Sequence, residues 1–298
     1  MFIKFLKFLT SNILYIIWFI IYFTIAWFLL GANGRSFFIT AVLYTISISF
    51  ALSPAGEWVI RKKENCRVPV TEQETEYLLP IFYEVYQQAK TENPKLNGNI
   101  KIYISDSVTV NAFAVGRQTV AVTRGALVTF TPEQLRGVIA HELGHITYGH
   151  TKALLLSTVG NVFFSISIIV LRAIATFIQS FIGALSEQNP VLIILHIASF
   201  LMRIMLEIGL FIFVYLSQIL LALNSRTNEI QADNFAYSIG LGYELISALY
   251  LLQKISMHQK LTLSEQLMAS HPHTADRIHR LEIKVNQEYE CNPACIEN

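Results

Sequence analysis

The sequence predicts a mainly α membrane protein, with four transmembrane helices in two hairpins and a cytosolic α+β domain containing a small antiparallel sheet. Three observations carry this reading. The 298 residues are 53% hydrophobic and only 14% charged, against about 25% charged in typical soluble domains. Two long apolar stretches are each divided by a short polar break. Between and after them lie capped helical patterns and alternating strand patterns, the marks of a folded aqueous part. The expected division is residues 1–60 as a first hairpin, 61–152 as the first part of the cytosolic domain, 153–223 as a second hairpin and 224–298 as the second part.

The run Ile13 to Gly31 carries no charge, and about 20 such residues cross a hydrocarbon core of about 30 Å. It is too long for a signal peptide and no small-residue cleavage site follows it. A polar loop from Ala32 to Ser36 leads to a second apolar run, Phe37 to Ser53, ended by Pro54 and Gly56. Lys4 and Lys7 precede the hairpin and Arg61, Lys62 and Lys63 follow it. Basic residues at both ends place both in the cytosol. A net charge of +1 offers nothing for nucleic acid, which is not an expected partner. Cys66, Cys291 and Cys295 are too few and scattered for a disulfide framework, and reduced thiols in a cytosolic compartment are expected.

Thr71 and Glu74 have capping-box spacing ahead of an apolar stripe formed by Tyr77, Leu78, Ile81, Phe82 and Val85. A helix follows, with Pro80 as a possible kink. Ile100 to Ser105, Val108 to Val115 and Thr119 to Thr123 read as strands, with Gly116 to Gln118 as a hairpin turn. Thr131 then reads as an N-cap, Pro132 as the first helical residue and Gln134 as the partner in a second capping box. Leu135, Ile139, Leu143 and Ile146 fall within about 80° of arc on that helix, roughly opposite His141.

This helix carries HELGH, His141 to His145. Two histidines four apart lie about 40° apart around a helix axis, one turn separated, so both imidazoles can reach one ion. Glu142, about 100° round from His141, points at the flank of that ion. The pattern is H-E-x-x-H, in which two neutral imidazoles bind zinc and the glutamate acts as general base. Gly144 lacks a side chain and permits close approach of a neighbouring segment. His150, nine residues on, points about 180° from His141 and reads as a structural or surface histidine.

The second apolar stretch, after Lys152, is broken at Ser186 to Pro190, and each arm of about 33 residues is about 50 Å of helix. That exceeds one bilayer core, so part of it projects beyond the far face or lies along the interface. Arg203 and Glu207, four apart, read as a neutralising pair, and His196 as a satisfied or interfacial histidine. A catalytic zinc needs a third protein ligand and an open position. Glu229, in SRTNEIQAD (Ser225 to Asp233), is the candidate. Asp233, one turn on, could accept a hydrogen bond from a ligand histidine's other nitrogen, and Arg226, one turn earlier, could anchor the carboxylates. By composition alone, an ordinary solvated helix face is the favoured account of Glu229 and Asp233.

Taken together, HELGH, SRTNEIQAD and SHPHTADRI, with two hydrophobic hairpins so placed, resemble the HtpX heat-shock membrane metalloproteases, bacterial relatives of the CaaX prenyl endoproteases. The resemblance covers the chain to about Gln287. It implies a zincin-like metalloprotease domain, one Zn2+ held by His141, His145 and Glu229, and Glu142 as catalytic base. It matches the family's H-P-x-x-x-x-R element to His271, Pro272 and Arg277, with His271 helping to stabilise the oxyanion and Arg277 locking the fold by a salt bridge. NAFA, Asn111 to Ala114, matches the family's substrate-binding strand. The implied protein is a multi-pass enzyme of the bacterial inner membrane, facing the cytosol and cleaving damaged or misfolded membrane proteins. A non-proteolytic membrane scaffold or chaperone with a structural zinc site is the alternative, and Glu142 speaks against it, since a purely structural site has no use for that carboxylate.

Overall fold

The computed structural model describes residues 13–96, 98–158, 162–188, 192–257 and 274–291. The chain forms two compact units, Met1–Ser49 with Gly160–Leu223, and Phe50–Val159 with Asn224–Asn298.

In the first unit, α1 (Ile13–Leu29) and α2 (Gly34–Ala51) form the N-terminal hairpin. Asn33 and Ser36 cap α2 reciprocally: the Asn33 N–H donates to Ser36 Oγ at 2.8 Å and the Ser36 N–H to Asn33 Oδ1 at 2.9 Å. Phe23 meets both Phe37 and Tyr44 edge-on, closing the two helices on an aromatic seam. The unit also holds α8 (Val162–Gln188) and the first part of α9 (Ile193–Ser238). Gly34–Ala51, Ile168–Ser186 and Ile193–Ile212 are long and apolar enough to cross a membrane. The 17 described residues of α1 account for about 25 Å of a hydrocarbon core of about 30 Å. The pairing expected between Arg203 and Glu207 is not made. Glu207 instead accepts from Arg172 Nη2 at 2.7 Å and Arg203 donates to Gln179 Oε1 at 2.6 Å. Antiparallel arms put partners across the hairpin, a proximity that spacing along one helix cannot reveal. His196 is not satisfied: its Nδ1 is buried without a hydrogen-bond partner among the described residues.

The second unit begins with α3 (Pro54–Lys63), capped by the Ser53 side chain. Strand β1 (Cys66–Arg67) and helix α4 (Glu72–Glu92) follow, and α4 passes through Pro80 uninterrupted. Its Thr71–Glu74 capping box is complete, and the Arg67 guanidinium clasps the same carboxylate at 2.8 and 2.6 Å. Strands β2 (Lys101–Ser105), β3 (Ala112–Val115) and β4 (Thr119–Thr123) complete a sheet of order β1-β2-β4-β3.

The sheet is mixed, not antiparallel as expected. Strands β3 and β4 form an antiparallel hairpin, but β4 turns inward and pairs parallel to β2. Every residue of β4 is buried, and a strand covered on both faces belongs in the sheet's middle. The third expected strand is also shorter, because Val108 to Asn111 lies outside it. Buried Glu57 ties α3 to the hairpin, accepting from the Arg117 N–H at 2.6 Å and the Thr119 hydroxyl at 3.0 Å.

After α5 (Arg124–Thr129) comes α6 (Pro132–Tyr148), with its N-terminal capping box on Thr131 complete and Pro132 at its start. Leu135, Ile139, Leu143 and Ile146 lie in the core. Helices α7 (His150–Thr158), α10 (Gly242–Met257), α11 (Thr274–Cys291) and the C-terminal part of α9 complete the unit. Two glycines of α6 admit close neighbours. A Cβ at Gly137 would sit 2.3 Å from the Leu245 backbone nitrogen, and one at Gly144 would sit 2.9 Å from Ala232 Cα. The residues needed around HELGH thus come from α6, α9 and α11.

Candidate metal centre

Because α6 is buried on all sides from Gly137 to Ile146, HELGH is buried throughout. His141 and His145, one turn apart, turn their Nε2 atoms towards each other at 3.2 Å. From α9, Glu229 brings Oε2 to 3.4 Å from His141 Nε2 and Oε1 to 3.4 Å from His145 Nε2. These three residues form a group able to hold a metal ion. The spacing suits zinc: donors about 2.0–2.1 Å from an ion at tetrahedral corners lie about 3.4 Å apart. Glu142, next in sequence to the first ligand candidate, is 2% exposed.

Each histidine's remaining nitrogen is occupied. His141 Nδ1 lies 2.9 Å from Asp233 Oδ1, one turn beyond Glu229 on α9. Asp233 is in turn held by Arg277 of α11, whose Nε and Nη2 donate to its two oxygens at 2.9 and 2.7 Å. The same guanidinium reaches Glu229 Oε2 through Nη1 at 2.8 Å. Burial raises the Asp233 pKa, but the Arg277 charge and the His141 hydrogen bond outweigh it and hold the carboxyl at about 2. Burial and Arg277 push His141 down, and its contacts with Asp233 and Glu229 outweigh both, carrying it up to about 9. Glu142, Glu229 and Asp233 are three buried carboxylates beside the one buried guanidinium of Arg277. A cation bound there would help such buried carboxylates to stay ionised.

His145 Nδ1 faces His150 Nδ1 at 3.0 Å, and His150 Nε2 faces Gln231 Oε1 at 2.9 Å. His150 is thus a structural histidine, as expected, but its expected orientation away from His141 fails for a definite reason. Helix α6 stops at Tyr148 with Gly149 in the left-handed region, at φ 79°, so the angle from His141 cannot be extended to residue 150. Glycine past the last periodic residue is the ordinary sign of a helix end, and that signal was present in the sequence.

The structure therefore brings together His141, His145, Glu142, Glu229, Asp233 and Arg277. It does not bring in Arg226, which is exposed and pairs with Asp276 at 2.9 Å. Lying three residues before Glu229, it turns off the buried face towards α11. Asn111 precedes β3, while Ala112, Phe113 and Ala114 lie within it, an edge strand of the sheet. Helix α6 packs against β3. His271 and Pro272 lie outside the described residues, as does Cys295.

Comparison with known proteins follows the same lines. The sequence model of Peptidase family M48 matches residues 72–285. "Protease HtpX" of Shewanella sp. (strain ANA-3) is 25% identical over 279 residues, covering 86% of this chain and 92% of that protein. "Protease HtpX homolog" of Methylacidiphilum infernorum is 26% identical over 278 residues, covering 85% of this chain and 87% of its own. The crystal structure of S. mikatae Ste24p superposes with a TM-score of 0.48 at 19% identity, covering 94% of this chain. The match spans 65% of the Ste24p chain.

Proposed function

The chain belongs to peptidase family M48 and is a metalloprotease, and we propose that it is a membrane-anchored zinc endopeptidase working on misfolded or damaged membrane proteins. The observation that carries the reading is the donor triangle of His141, His145 and Glu229, with Glu142 buried beside it. Bound there, zinc would polarise the scissile carbonyl and acidify a water molecule. His141, His145 and Glu229 would hold it, the three protein ligands of a catalytic rather than a closed structural site.

Glu142 takes the proton of the attacking water and returns it to the leaving amine, one carboxylate serving first as base and then as acid. Asp233 and Arg277 fix the His141 ring so that its Nε2 lone pair faces the ion. The substrate lies extended beside Asn111 to Ala114, adding a strand at the β3 edge, where main-chain hydrogen bonds give sequence-tolerant binding. His271 contributes a hydrogen bond to the oxyanion. Four spans, residues 1–60 and 153–223, hold the enzyme in the bacterial inner membrane. Residues 61–152 and 224–298 stand in the cytosol, where exposed segments of faulty membrane proteins would be reached.

The test is proteolysis of casein by purified protein with zinc, beside Glu142→Gln. The variant should keep its zinc and lose about 100- to 10,000-fold in kcat, the usual contribution of a general base. Full activity in that variant would end the role of Glu142, and chelator-resistant cleavage would end the zinc reading.

A further inference from the structure

His145 can donate an electron pair to an ion through Nε2 only if its proton sits on Nδ1. The Nδ1 hydrogen must then be received by His150 Nδ1, 3.0 Å away. His150 accepts there only if its own proton is on Nε2, and that proton has an acceptor in Gln231 Oε1 at 2.9 Å. The reverse polarity would put a hydrogen on His145 Nε2, directed at the position of the ion. Of the two ways to run this chain, only one leaves the tripod complete.

We propose that His150 and Gln231 form a tautomer lock, a pair of positioning residues that sets the direction of the His145 proton and so makes His145 a metal donor. The lock also bridges the two helices of the tripod. His150 opens α7 directly behind the HELGH helix, and Gln231 stands two residues beyond Glu229 on α9. One hydrogen-bonded chain therefore fixes a ligand ring on α6 against the helix that supplies the third ligand. His141 is held differently, by a carboxylate that is itself clasped by a guanidinium. The His145 arrangement is made of neutral groups, so it adds orientation without adding charge.

This inference rests on the zinc reading, and its test separates the two. The affinity of purified full-length protein for Zn2+ is measured by competition with a chromophoric chelator, for the parent and for His150→Phe, His150→Asn, His150→Gln and Gln231→Met. Asparagine places an oxygen where Nδ1 was and can still accept from His145, whereas glutamine carries its amide one atom further out. Groups that orient metal ligands contribute about 10- to 100-fold to affinity, so His150→Phe and His150→Gln should weaken zinc binding by that much. His150→Asn should stay within about threefold of the parent, with Gln231→Met between. Equal affinities across the His150 series would overturn the lock. So would equal loss in the Asn, Gln and Phe variants, which would make His150 a space filler. A parent that binds no zinc would sink the zinc reading itself. If the Phe variant does not fold, by far-ultraviolet circular dichroism, the Asn and Gln pair decides.

Discussion

Arg277 Nη1 lies 2.8 Å from Glu229 Oε2, so a cation on α11 grips the carboxylate that α9 brings to the candidate metal centre. The same side chain holds Asp233 through two further nitrogens. Both acids are about 4% exposed or less, and removing one partner of such a buried group costs about 3–5 kcal/mol. Arg277→Met should therefore destabilise the zinc-free protein by about that amount in denaturant titrations. Arg277→Lys should fall between, because an ammonium is a point charge and cannot fork across two carboxylates. A Met variant within about 0.5 kcal/mol of the parent, the range of an ordinary surface change, would show that the guanidinium stabilises nothing.

Glu229→Ala tests the third arm of the tripod without any substrate. A ligand at 100 times its Kd stabilises the folded state by about 2.7 kcal/mol. At about 2–4 °C per kcal/mol for this size, zinc should raise the parent Tm by about 5–10 °C. In the Ala variant that increment should largely vanish, because two imidazoles alone hold zinc weakly. An undiminished zinc-induced shift would place the third donor elsewhere.

Gly137 and Gly144 sit on one helix and should fail differently. A methyl at 137 meets backbone of α10, at 2.3 Å from Leu245 N and 2.5 Å from Glu244 C. A methyl at 144 meets Ala232 Cα at 2.9 Å and Phe235 Cβ at 3.1 Å, on the helix of Glu229. Overpacking costs about 1–3 kcal/mol, offset by up to about 1 kcal/mol of helix propensity. Gly137→Ala should show the larger loss of Tm. Gly144→Ala should show the larger loss of zinc affinity, since it pushes the two ligand-bearing helices apart. Parallel effects of both variants on both measurements would contradict this division.

Much of this was legible from residues alone. Thr131, Pro132 and Gln134 announced the start of α6, and HELGH announced a histidine pair on one helix face, because caps and i,i+4 spacing are local properties; Glu229 was singled out from a solvated helix face only through the family resemblance. The sheet's parallel pair was not legible. Alternation in Val108 to Val115 and Thr119 to Thr123 marks strands, but the burial of β4 on both faces depends on what lies beside it. Arg172 and Glu207, 35 positions apart, meet only once the hairpin has formed. Glu57 stands in no motif, and its burial depends on the Arg117 turn, 60 positions on. His150 could have been found, had Gly149 been taken as the end of α6.

Glu74 gives a pH-dependent prediction remote from the metal centre. Its hydrogen bonds to Arg67, aided by the Val70 and Thr71 N–H groups, hold its carboxyl at about 2, against an ordinary value of 4.5. A carboxyl with a depressed folded-state pKa stabilises the fold while ionised. That contribution is fully present above pH about 4.5 and is lost as pH falls towards about 2. Glutamine at 74 preserves a capping-box residue but removes the charge. The pair is partly solvated, with side chains 30% and 21% exposed, so its worth is about 1 kcal/mol or less, or a Tm difference of about 2–4 °C. Parent minus Glu74→Gln, followed from pH 7 to pH 3, should be level above about pH 5 and shrink below it. Other carboxylates titrate in both proteins and cancel in the difference. A difference that stayed constant to pH 3, or grew, would mean that the Arg67 fork adds nothing to the start of α4.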